Sequence, residues 1–361
     1  MGIFTKKLPQ AFDLIAVRTG FAGLSAPCRL LLPMLLLTLF WATPKSASAQ
    51  DPFFTQFQLL PMNLNPALTG NEGNSEITLI FRDQWPEFPQ TYINYAVAWS
   101  QFFPEASSGF GVMAMGDRQG NGLINTHSAR AFYVFGVQLK RNMAIRAGFE
   151  GGYYNRRLDW LGLRFFDQID PVFGLNDPSG VPNPTTEVPP GETNVSWFDL
   201  GFGAMLFGEK WYAGASAGHL NRPDVAFYSG NTDRIPVRWS AQAGLDLTGG
   251  PKRSPYHFRP YALYLLQGRF QQIQVGAHGQ VGVMSAGIGF RHAVLNADAV
   301  LLSLGFQKGV FGLGYSYDLS VGSVGFESGG AHEIALRFRL NSDSDKDNRR
   351  KMSDKLRCPL L

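Results

Sequence analysis

The six histidines are the side chains best suited to acid–base or metal chemistry, and their spacing argues against both. They are His127, His219, His257, His278, His292 and His332. None forms the His-x-x-x-His pair that binds zinc from one helix face. His127 and Ser128 are neighbours, so in a strand they point to opposite faces and cannot act as base and nucleophile. We therefore predict no catalytic residues, no metal and no cofactor, although a hydrolase site assembled from distant strands stays open.

Four short stretches combine polar side chains with turn-forming residues at strand ends, which sets them apart from ordinary strand sequence and allows a specific role. They are Asn65-Pro66-Ala67 with Gly70, Arg82-Asp83-Gln84-Trp85 ahead of Pro89, Asp117-Arg118-Gln119-Gly120, and Gly214-x-Ser216-x-x-His219 ahead of Pro223. Turn formation alone explains the same residues, because Asn and Asp bond to their own backbone while Pro and Gly fix turn angles. The residues themselves leave both interpretations open.

These stretches must be positioned by β-strands that have one apolar and one charged face. Residues 331–340 are an example of such a strand. One parity holds Ile334, Leu336, Phe338 and Leu340, and the other holds Glu333, Arg337 and Arg339. Alternate residues of a strand point to opposite faces, and the same period recurs in 91–99, 143–153 and 237–247. Charges on the inner face of a soluble sandwich would be buried without water, which is expensive, whereas a wide barrel gives them a wet lumen.

We therefore predict an all-β fold, a transmembrane antiparallel outer-membrane β-barrel of about 14 strands. The predicted strands are 75–83, 91–101, 108–117, 123–139, 142–157, 194–207, 210–220, 235–248, 256–267, 270–281, 282–293, 298–307, 309–319 and 331–340.

The connections support a barrel independently of the strands. The odd-numbered connections include the long segments 158–193, 219–236 and 320–330, and the even-numbered ones include the tight turns 140–142, 208–210 and 307–309. Long loops at one end and short turns at the other are typical of outer-membrane barrels, with the long loops outside the cell. This arrangement predicts that both ends of the barrel sequence face the periplasm.

Residues 1–49 have the features of a cleaved signal peptide, with an N-terminal anchor helix as the alternative. A basic start precedes an apolar run and Ala47-Ser48-Ala49, which predicts cleavage between Ala49 and Gln50. The leader takes 5 of the 32 basic residues and 1 of the 28 acidic residues, which leaves a neutral mature chain. Such a chain gives no electrostatic basis for a nucleic-acid partner. No later segment reaches the roughly 18 apolar residues of a membrane-spanning helix.

The remaining segments flank the predicted barrel, which covers 75–340. Residues 50–74 are aromatic and rich in Asn and Pro, and we expect them to pack on or inside the periplasmic end of the barrel as a plug segment. Residues 341–361 alternate acids and bases, which predicts a disordered periplasmic tail. Cys28 leaves with the leader and Cys358 lies in the tail, so the mature chain cannot form an internal disulfide.

The order of these motifs resembles the PorP/SprF family over essentially the whole mature chain. The matching features are an Asp51-Pro-x-Phe-x-Gln-x-Phe start, the four polar stretches, Phe166-Asp167-Gln168-Ile169-Asp170-Pro171 and the closing His332-Glu333-Ile334. The sequence departs from the family at Glu87-Phe88, where members tend to have a glycine before the proline. That departure puts the shape of the first outward loop in doubt.

The resemblance implies a non-enzymatic outer-membrane barrel of the type IX secretion and gliding apparatus of Bacteroidetes. Family members aid the secretion and surface anchoring of partner proteins, often adhesins, that carry a C-terminal sorting domain, and they are linked to periplasmic components of the machinery. The motif residues then become candidate partner-binding residues: Asn65, Pro66, Gly70, Arg82, Gln84, Trp85, Asp117, Gly120, Asp167, Asp170, His219, Pro223, His332 and Glu333. An outer-membrane channel or transporter for small or hydrophobic molecules is the alternative function.

Overall fold

The computed structural model describes residues 51–71, 75–89, 91–140, 142–249, 256–293, 298–322 and 325–340. The predicted leader, its cleavage site at Ala49 and Gln50, and the predicted tail 341–361 lie outside the described residues.

The described chain forms a closed antiparallel barrel. Its strands are β1 Ser75–Gln84, β2 Tyr92–Phe103, β3 Ser108–Gln119, β4 Ile124–Lys140, β5 Met143–Leu158, β6 Asn194–Phe207, β7 Trp211–Gly218, β8 Arg238–Leu245, β9 Leu247–Gly249, β10 Tyr256–Gln267, β11 Phe270–Val281, β12 Met284–Ala293, β13 Ala299–Lys308, β14 Phe311–Ser320 and β15 Ala331–Leu340. Each strand pairs with its sequence neighbour, except that β9 continues β8 and both pair with β10. Counting β8 and β9 as one strand, the 15-stranded sheet is a barrel of 14.

The first and last strands close the barrel. β1 and β15 pair along their whole length, from Ser75 opposite Leu340 to Gln84 opposite Ala331. Closure leaves no unpaired sheet edge among the described strands, which is the condition for a β structure to cross a bilayer. The predicted barrel, its strand number and the role of the last strand are confirmed.

The connections divide by length as predicted. We call the end that carries the long connections 159–193, 219–237 and 321–330 the loop end, and the opposite end, with turns such as 208–210 and 309–310, the turn end. The connections 120–123 and 268–269 are exceptions, because they are short turns at the loop end. The rule for outer-membrane barrels puts the loop end at the cell surface.

The two faces of the wall alternate along each strand. On β2, Tyr95 and Val97 are 45% and 47% exposed on the outside, whereas Asn94 is buried inside. On β15, Ile334 is exposed while Glu333 and Arg337 are buried on the lumen side, as the period predicted. This gives the barrel the apolar exterior that lipid requires. Among the described residues, no helix is both long enough and apolar enough to cross a membrane.

Residues 51–71, which we call the plug, lie inside the barrel. They include a one-turn helix, α1, at Pro61–Leu64 and a 3₁₀ turn at Pro66–Leu68. The plug touches opposite walls, since Thr55 bonds to Glu333 of β15 and Asn65 bonds to the carbonyl of Ala204 on β6. We call 51–59 its first limb and 60–71 its second limb.

The plug crosses the lumen from one end of the barrel to the other. Asp51 contacts Arg238 at the first residue of β8, and Gln267 at the last residue of β10, both at the loop end. Gly70 lies against Gln101, near the turn end of β2. The plug therefore begins at the loop end and leads to the start of β1 at the turn end, which differs from a segment confined to the periplasmic end.

Candidate functional site

A cavity of about 280 Å³ lies at the loop end of the lumen, and we call it the loop-end vestibule. Five side chains of the predicted stretches line it: Arg82, Gln84, Trp85, Asp117 and Gln119. They meet there because β1 and β3 both run toward the loop end, on either side of antiparallel β2. The first residues of the plug, Asp51 to Phe53, also line the vestibule.

Trp85 directly follows β1 and has a backbone conformation that bulky residues rarely adopt. Its φ is +61°, and such a conformation persists only where the surroundings hold it. The Trp85 N–H donates to the Gly330 carbonyl at 2.7 Å, and its ring meets Tyr92 edge to face, with 5.4 Å between the ring centroids. These contacts fix the indole beside the vestibule.

Asp117 is held on the vestibule wall by two amides. Its Oδ1 accepts a hydrogen bond from Asn94 Nδ2 at 2.6 Å, and its Oδ2 accepts one from Gln119 Nε2 at 2.6 Å. Gly120 follows with a φ of +60° and begins the turn to β4. The Asp-x-x-Gly stretch therefore both makes a turn and orients a buried carboxylate.

His219 holds the start of the plug in a charged cluster that we call the latch: Asp51, Asp199, His219 and Arg238. The Nε2 of His219 lies 2.6 Å from Oδ2 of Asp51, and its Nδ1 lies 2.5 Å from Oδ2 of Asp199. Arg238 Nη1 lies 3.1 Å from the same oxygen of Asp51. His219 has a φ of +56°, and this left-handed residue directly after β7 presents its ring to both carboxylates.

The latch is strongly ionised. Burial alone lowers the pKa of His219, but the carboxylates of Asp51 and Asp199 outweigh it and raise that pKa to about 9. Burial raises the pKa of Asp51, but the opposing charges of His219 and Arg238 hold it well below its usual range. The latch is therefore an ion cluster at neutral pH, and a deprotonated His219 would remove one of its charges.

A second charged layer binds the middle of the first limb. Glu333 accepts the backbone N–H groups of Thr55 and Gln56, at 2.9 and 2.7 Å. Arg82 joins Glu333 to Asp318, with Nη2 2.8 Å from Asp318 Oδ2 and Nη1 3.3 Å from Glu333 Oε2. This layer ties β1, β14 and β15 to the plug, so the motif residues Arg82 and Glu333 act together.

The second limb is fitted to the wall by close backbone contact. A Cβ on Gly148 would lie 2.3 Å from the Ala67 nitrogen, so only glycine lets β5 approach the plug there. Asn65 is fully buried, bonds to the carbonyls of Ala204 and Ala215, and accepts the Ala67 N–H. Gly70 has a φ of +63°, and its Cβ would lie 2.7 Å from the backbone of Gln101. The Asn-Pro-Ala-x-x-Gly stretch is thus the anchor of the second limb.

The remaining candidate residues lie apart from the vestibule. Asp167 and Asp170 belong to the exposed loop 159–193, where each accepts hydrogen bonds from nearby residues of that loop. Pro223 is buried in the loop after β7, and its carbonyl accepts the Ile235 N–H. His332 is on the outer wall, where its Nδ1 lies 2.8 Å from the Tyr315 hydroxyl. The tertiary structure therefore divides the predicted set into residues of the vestibule, of the charged clusters, of the plug anchor, and of the loops and outer wall.

Several residues of these clusters were not singled out from the sequence. They are Thr55, Asp199, Arg238, Asp318 and Arg291, whose Nη1 lies 3.0 Å from Oδ2 of Asp318, with Asp51 noted only as part of the opening motif. The one available signal was the alternation of inward and outward side chains along each strand, which places Asp199, Arg291 and Asp318 on the lumen side. This alternation does not reveal which of the inward charges contact each other across the barrel.

No group of three or more His, Cys, Asp or Glu side chains within the described ranges is arranged to hold a metal ion. The latch has two carboxylates on one imidazole, but Arg238 occupies the space beside Asp51 with a competing positive charge. Its chemistry is that of an ion-pair cluster joining two segments of the chain.

Several solved structures are similar to this chain at low sequence identity. The toluene transporter TbuX of Ralstonia pickettii is similar with a TM-score of 0.45 and 11% identity, over 78% of this chain and 94% of that one. The Acinetobacter baumannii outer membrane protein Omp33 has a TM-score of 0.41 and 8% identity, over 75% and 100%. The P. putida toluene transporter TodX has a TM-score of 0.43 and 9% identity, over 77% and 93%. No curated protein matches the sequence.

The family comparison covers most of the chain. Residues 46–338 match the sequence model described as type IX secretion system membrane protein PorP/SprF. A closed barrel with an apolar exterior is the β structure that spans outer membranes, so the protein lies in the outer membrane. The chain belongs to the PorP/SprF family of type IX secretion system membrane proteins.

Proposed function

We propose that this barrel is a non-enzymatic anchor that holds partner proteins of the type IX apparatus at the cell surface. The partners are secreted proteins with a C-terminal sorting domain, adhesins among them, and they bind at the loop end. The turn end contacts periplasmic components of the machinery. The loop 159–193 carries this proposal.

That loop presents large apolar side chains to solvent. Leu161 is 86% exposed, Phe166 is 91% exposed and Val172 is 80% exposed. Exposed apolar side chains at this density favour a protein-binding surface. The loop also has six acidic residues against Arg164 as its one basic residue, which favours a partner with a basic surface.

The loop is organised by its own hydrogen bonds, although it is exposed. Asp167 Oδ2 accepts the Thr186 N–H at 2.6 Å, and Asn183 Nδ2 donates to the Gln168 and Gly174 carbonyls. The Thr186 N–H is the main reason that the pKa of Asp167 lies below its usual value. Preorganisation of this kind lowers the entropy cost of binding a partner.

The filled lumen also favours an anchor over a barrel that stands open. Phe54, Leu60, Ala67 and Leu68 of the plug are each at most 2% exposed. A lumen occupied by buried side chains has no room there for a wide water-filled path such as that of a porin. An anchor needs only the rigid wall and the loops.

The experiment is retention of surface proteins in cells that carry variants of this barrel. Deleting the gene should release proteins with sorting domains, including any encoded beside it, from the surface into the medium. Phe166→Ser combined with Val172→Ser should lower the retained fraction several-fold while barrel abundance stays unchanged. Val310→Ser, at an exposed apolar residue of a turn-end connection, is the matched control.

Unchanged display of every sorting-domain protein after gene deletion would refute the anchor. If deletion releases the partner but the Phe166 and Val172 variant retains it fully, the binding surface is elsewhere on the barrel. Co-purification from detergent-extracted outer membrane, with wild type and the double variant in parallel, identifies the partner directly.

A further inference from the structure

The outer wall of the barrel contains an apolar groove of about 750 Å³ across β2 to β6. Its floor consists of small outward residues on three neighbouring strands, Ala114 of β3, Ala129 and Ala131 of β4, and Gly151 of β5. A Cβ on Gly151 would meet nothing within 4 Å, so the space over the floor is open. The wall is therefore concave here on the side that faces lipid.

Large apolar side chains border this groove. Trp99 of β2 stands at one end. Tyr153 of β5 and Phe198 of β6 stand at the other, 46% and 73% exposed, and their rings meet edge to face with 5.4 Å between the centroids. Neighbouring strands lie about 4.8 Å apart, so the groove is roughly 19 Å long from β2 to β6. An extended acyl chain of a membrane lipid fits a groove of this shape.

Two arginines lie on the same outer wall, at the loop end of the groove. Arg118 is the last residue but one of β3, and Arg157 is the last residue but one of β5. Asn125 of β4 lies between them, opposite Arg118 on one side and opposite Arg157 on the other. Two strand spacings separate the arginines, which is about 10 Å. Their long side chains can therefore both reach one anion placed over Asn125.

These arginines lie at the level of lipid headgroups. On the outward face of β5, Tyr153 is followed by Asn155 and then by Arg157. An aromatic girdle marks the edge of the apolar band in outer-membrane barrels. Arg157 lies four positions beyond Tyr153, about 13 Å along the strand. Since the loop end faces the cell surface, the arginines lie beside the headgroups of the outer leaflet.

The two guanidinium groups are available to an anion. Both side chains are exposed. Arg118 Nη2 donates to the Asn121 carbonyl at 3.2 Å, which leaves its other N–H groups open. Within the described part of the chain, Arg157 forms no hydrogen bond or ion pair.

The nearest acidic residues along the chain are directed elsewhere or lie beyond the arginines. Asp117 is on the lumen side, bound to two amides. Asp159 accepts the Gly162 N–H, and Glu192 lies in the loop 159–193. The outward positions that surround the arginines are instead amides and a hydroxyl. Asn155 Nδ2 donates to Asn194 Oδ1 at 2.7 Å and to Ser196 Oγ at 2.8 Å.

We infer that the groove and the two arginines form one binding site for a phosphorylated glycolipid of the outer leaflet, a lipid of the lipid A class. An acyl chain lies in the groove, and a phosphate lies between Arg118 and Arg157. Guanidinium groups bind phosphate through paired, charge-assisted hydrogen bonds. Asn125 and Asn155 both donate and accept hydrogen bonds, as sugar hydroxyls do. A phospholipid without a sugar would leave these amides unused. The site is separate from partner anchoring, because it uses the wall and not the loop 159–193.

Native mass spectrometry of the full-length protein in detergent tests the headgroup, with monophosphoryl lipid A as the probe. One lipid A should stay bound per barrel, about tenfold more tightly than phosphatidylglycerol. Arg118→Gln combined with Arg157→Gln should lower lipid A affinity about tenfold, because hydrogen bonds between charged groups are lost. Arg222→Gln combined with Arg234→Gln removes two exposed charges from the loop after β7 and should bind as wild type.

A second pair of variants tests the groove with the arginines intact. Ala131→Leu fills the floor beside Gly151 and should lower lipid A binding several-fold. Ala286→Leu adds the same side chain at an exposed outward position of β12, outside the groove, and should bind as wild type. Heat-modifiable migration in SDS gels confirms that each barrel is folded.

Loss of lipid A in both test variants, with binding kept in both controls, supports the site. Equal affinity for phosphatidylglycerol and lipid A overturns the assignment to a glycolipid. Unchanged binding by the arginine variant overturns the phosphate site, and unchanged binding by Ala131→Leu overturns the groove. A barrel dimer that Ala131→Leu separates would show that a second copy of the chain covers the groove, which overturns the lipid.

Discussion

His219 Nε2 lies 2.6 Å from Asp51 Oδ2, so a residue just after β7 binds the first described residue of the chain. The two residues lie 168 positions apart in the sequence. This contact places the start of the plug at the loop end of the barrel. The chain between them contains β1 to β7, half of the barrel wall, so the contact forms only when the barrel folds around the plug.

The latch predicts that plug stability falls at alkaline pH. The pKa of His219 is raised from 6.5 to about 9 by the carboxylates of Asp51 and Asp199, despite burial. A raised pKa in the folded state stabilises fully below the unfolded value near 6.5, and that stabilisation is lost as pH rises through about 9. Hydrogen exchange of the first limb should therefore speed up between pH 7 and roughly pH 10 beyond the intrinsic rate.

The control for that pH dependence is His219→Gln, which should exchange fast already at pH 7 and show no further latch-dependent change. Asp51 does not contribute to this window. Its pKa is lowered, so the stability linked to it is present above its ordinary value of 3.8 and is lost only in strong acid. A wild-type limb whose protection stays constant up to pH 10 would contradict the assignment.

We expect a small change of the Glu333 side chain to lower the stability of the folded barrel strongly. Glu333→Gln keeps the shape but removes the charge that binds Arg82 and the Thr55 and Gln56 N–H groups. Breaking a buried pair from one side costs roughly 3–5 kcal/mol. The urea midpoint of the folded barrel should drop, as measured by heat-modifiable migration. Glu187→Gln, in the exposed loop, should leave the midpoint unchanged.

Two glycines of β5 make a matched test of the plug. Gly148→Ala would place a Cβ 2.3 Å from the Ala67 nitrogen, whereas Gly151→Ala meets nothing within 4 Å. Overpacking against backbone costs about 1–3 kcal/mol. We expect Gly148→Ala to lower the denaturation midpoint and to speed proteolysis of the second limb, while Gly151→Ala does neither. Equal behaviour of the two variants would mean that the plug is not seated against β5.

The last strand predicts different tolerance of its two faces. Leu336→Arg puts a charge on the lipid face, where an arginine at the bilayer midplane costs about 2–4 kcal/mol. Arg337→Leu removes a lumen charge that pairs loosely with Glu76, 4.0 Å away. The Leu336 variant should assemble less completely in the outer membrane, judged by the folded fraction on SDS gels. Equal assembly of the two variants would show that the faces are wrongly assigned.

The sequence by itself determined the wall of this protein. The alternation of side chains between the two faces of a strand is a local property. The lipid and lumen faces of 331–340 can therefore be assigned without knowing any partner strand. The long loops and short turns alternate in sequence order, which identified the barrel and its direction. The predicted ends of β6, β10, β11 and β15 match the observed ones, and the other strands differ by a few residues.

The tertiary structure alone decided what lies inside the wall. In residues 51–71 apolar and polar side chains do not alternate regularly. Their contacts are with distant strands that surround the lumen, and not with one local face. The partners of Asp51 and Glu333 are set by barrel closure, which brings together residues separated by hundreds of positions. The plug path, the latch and the loop-end vestibule follow from that closure, so they became visible only when strands at opposite ends of the chain were paired.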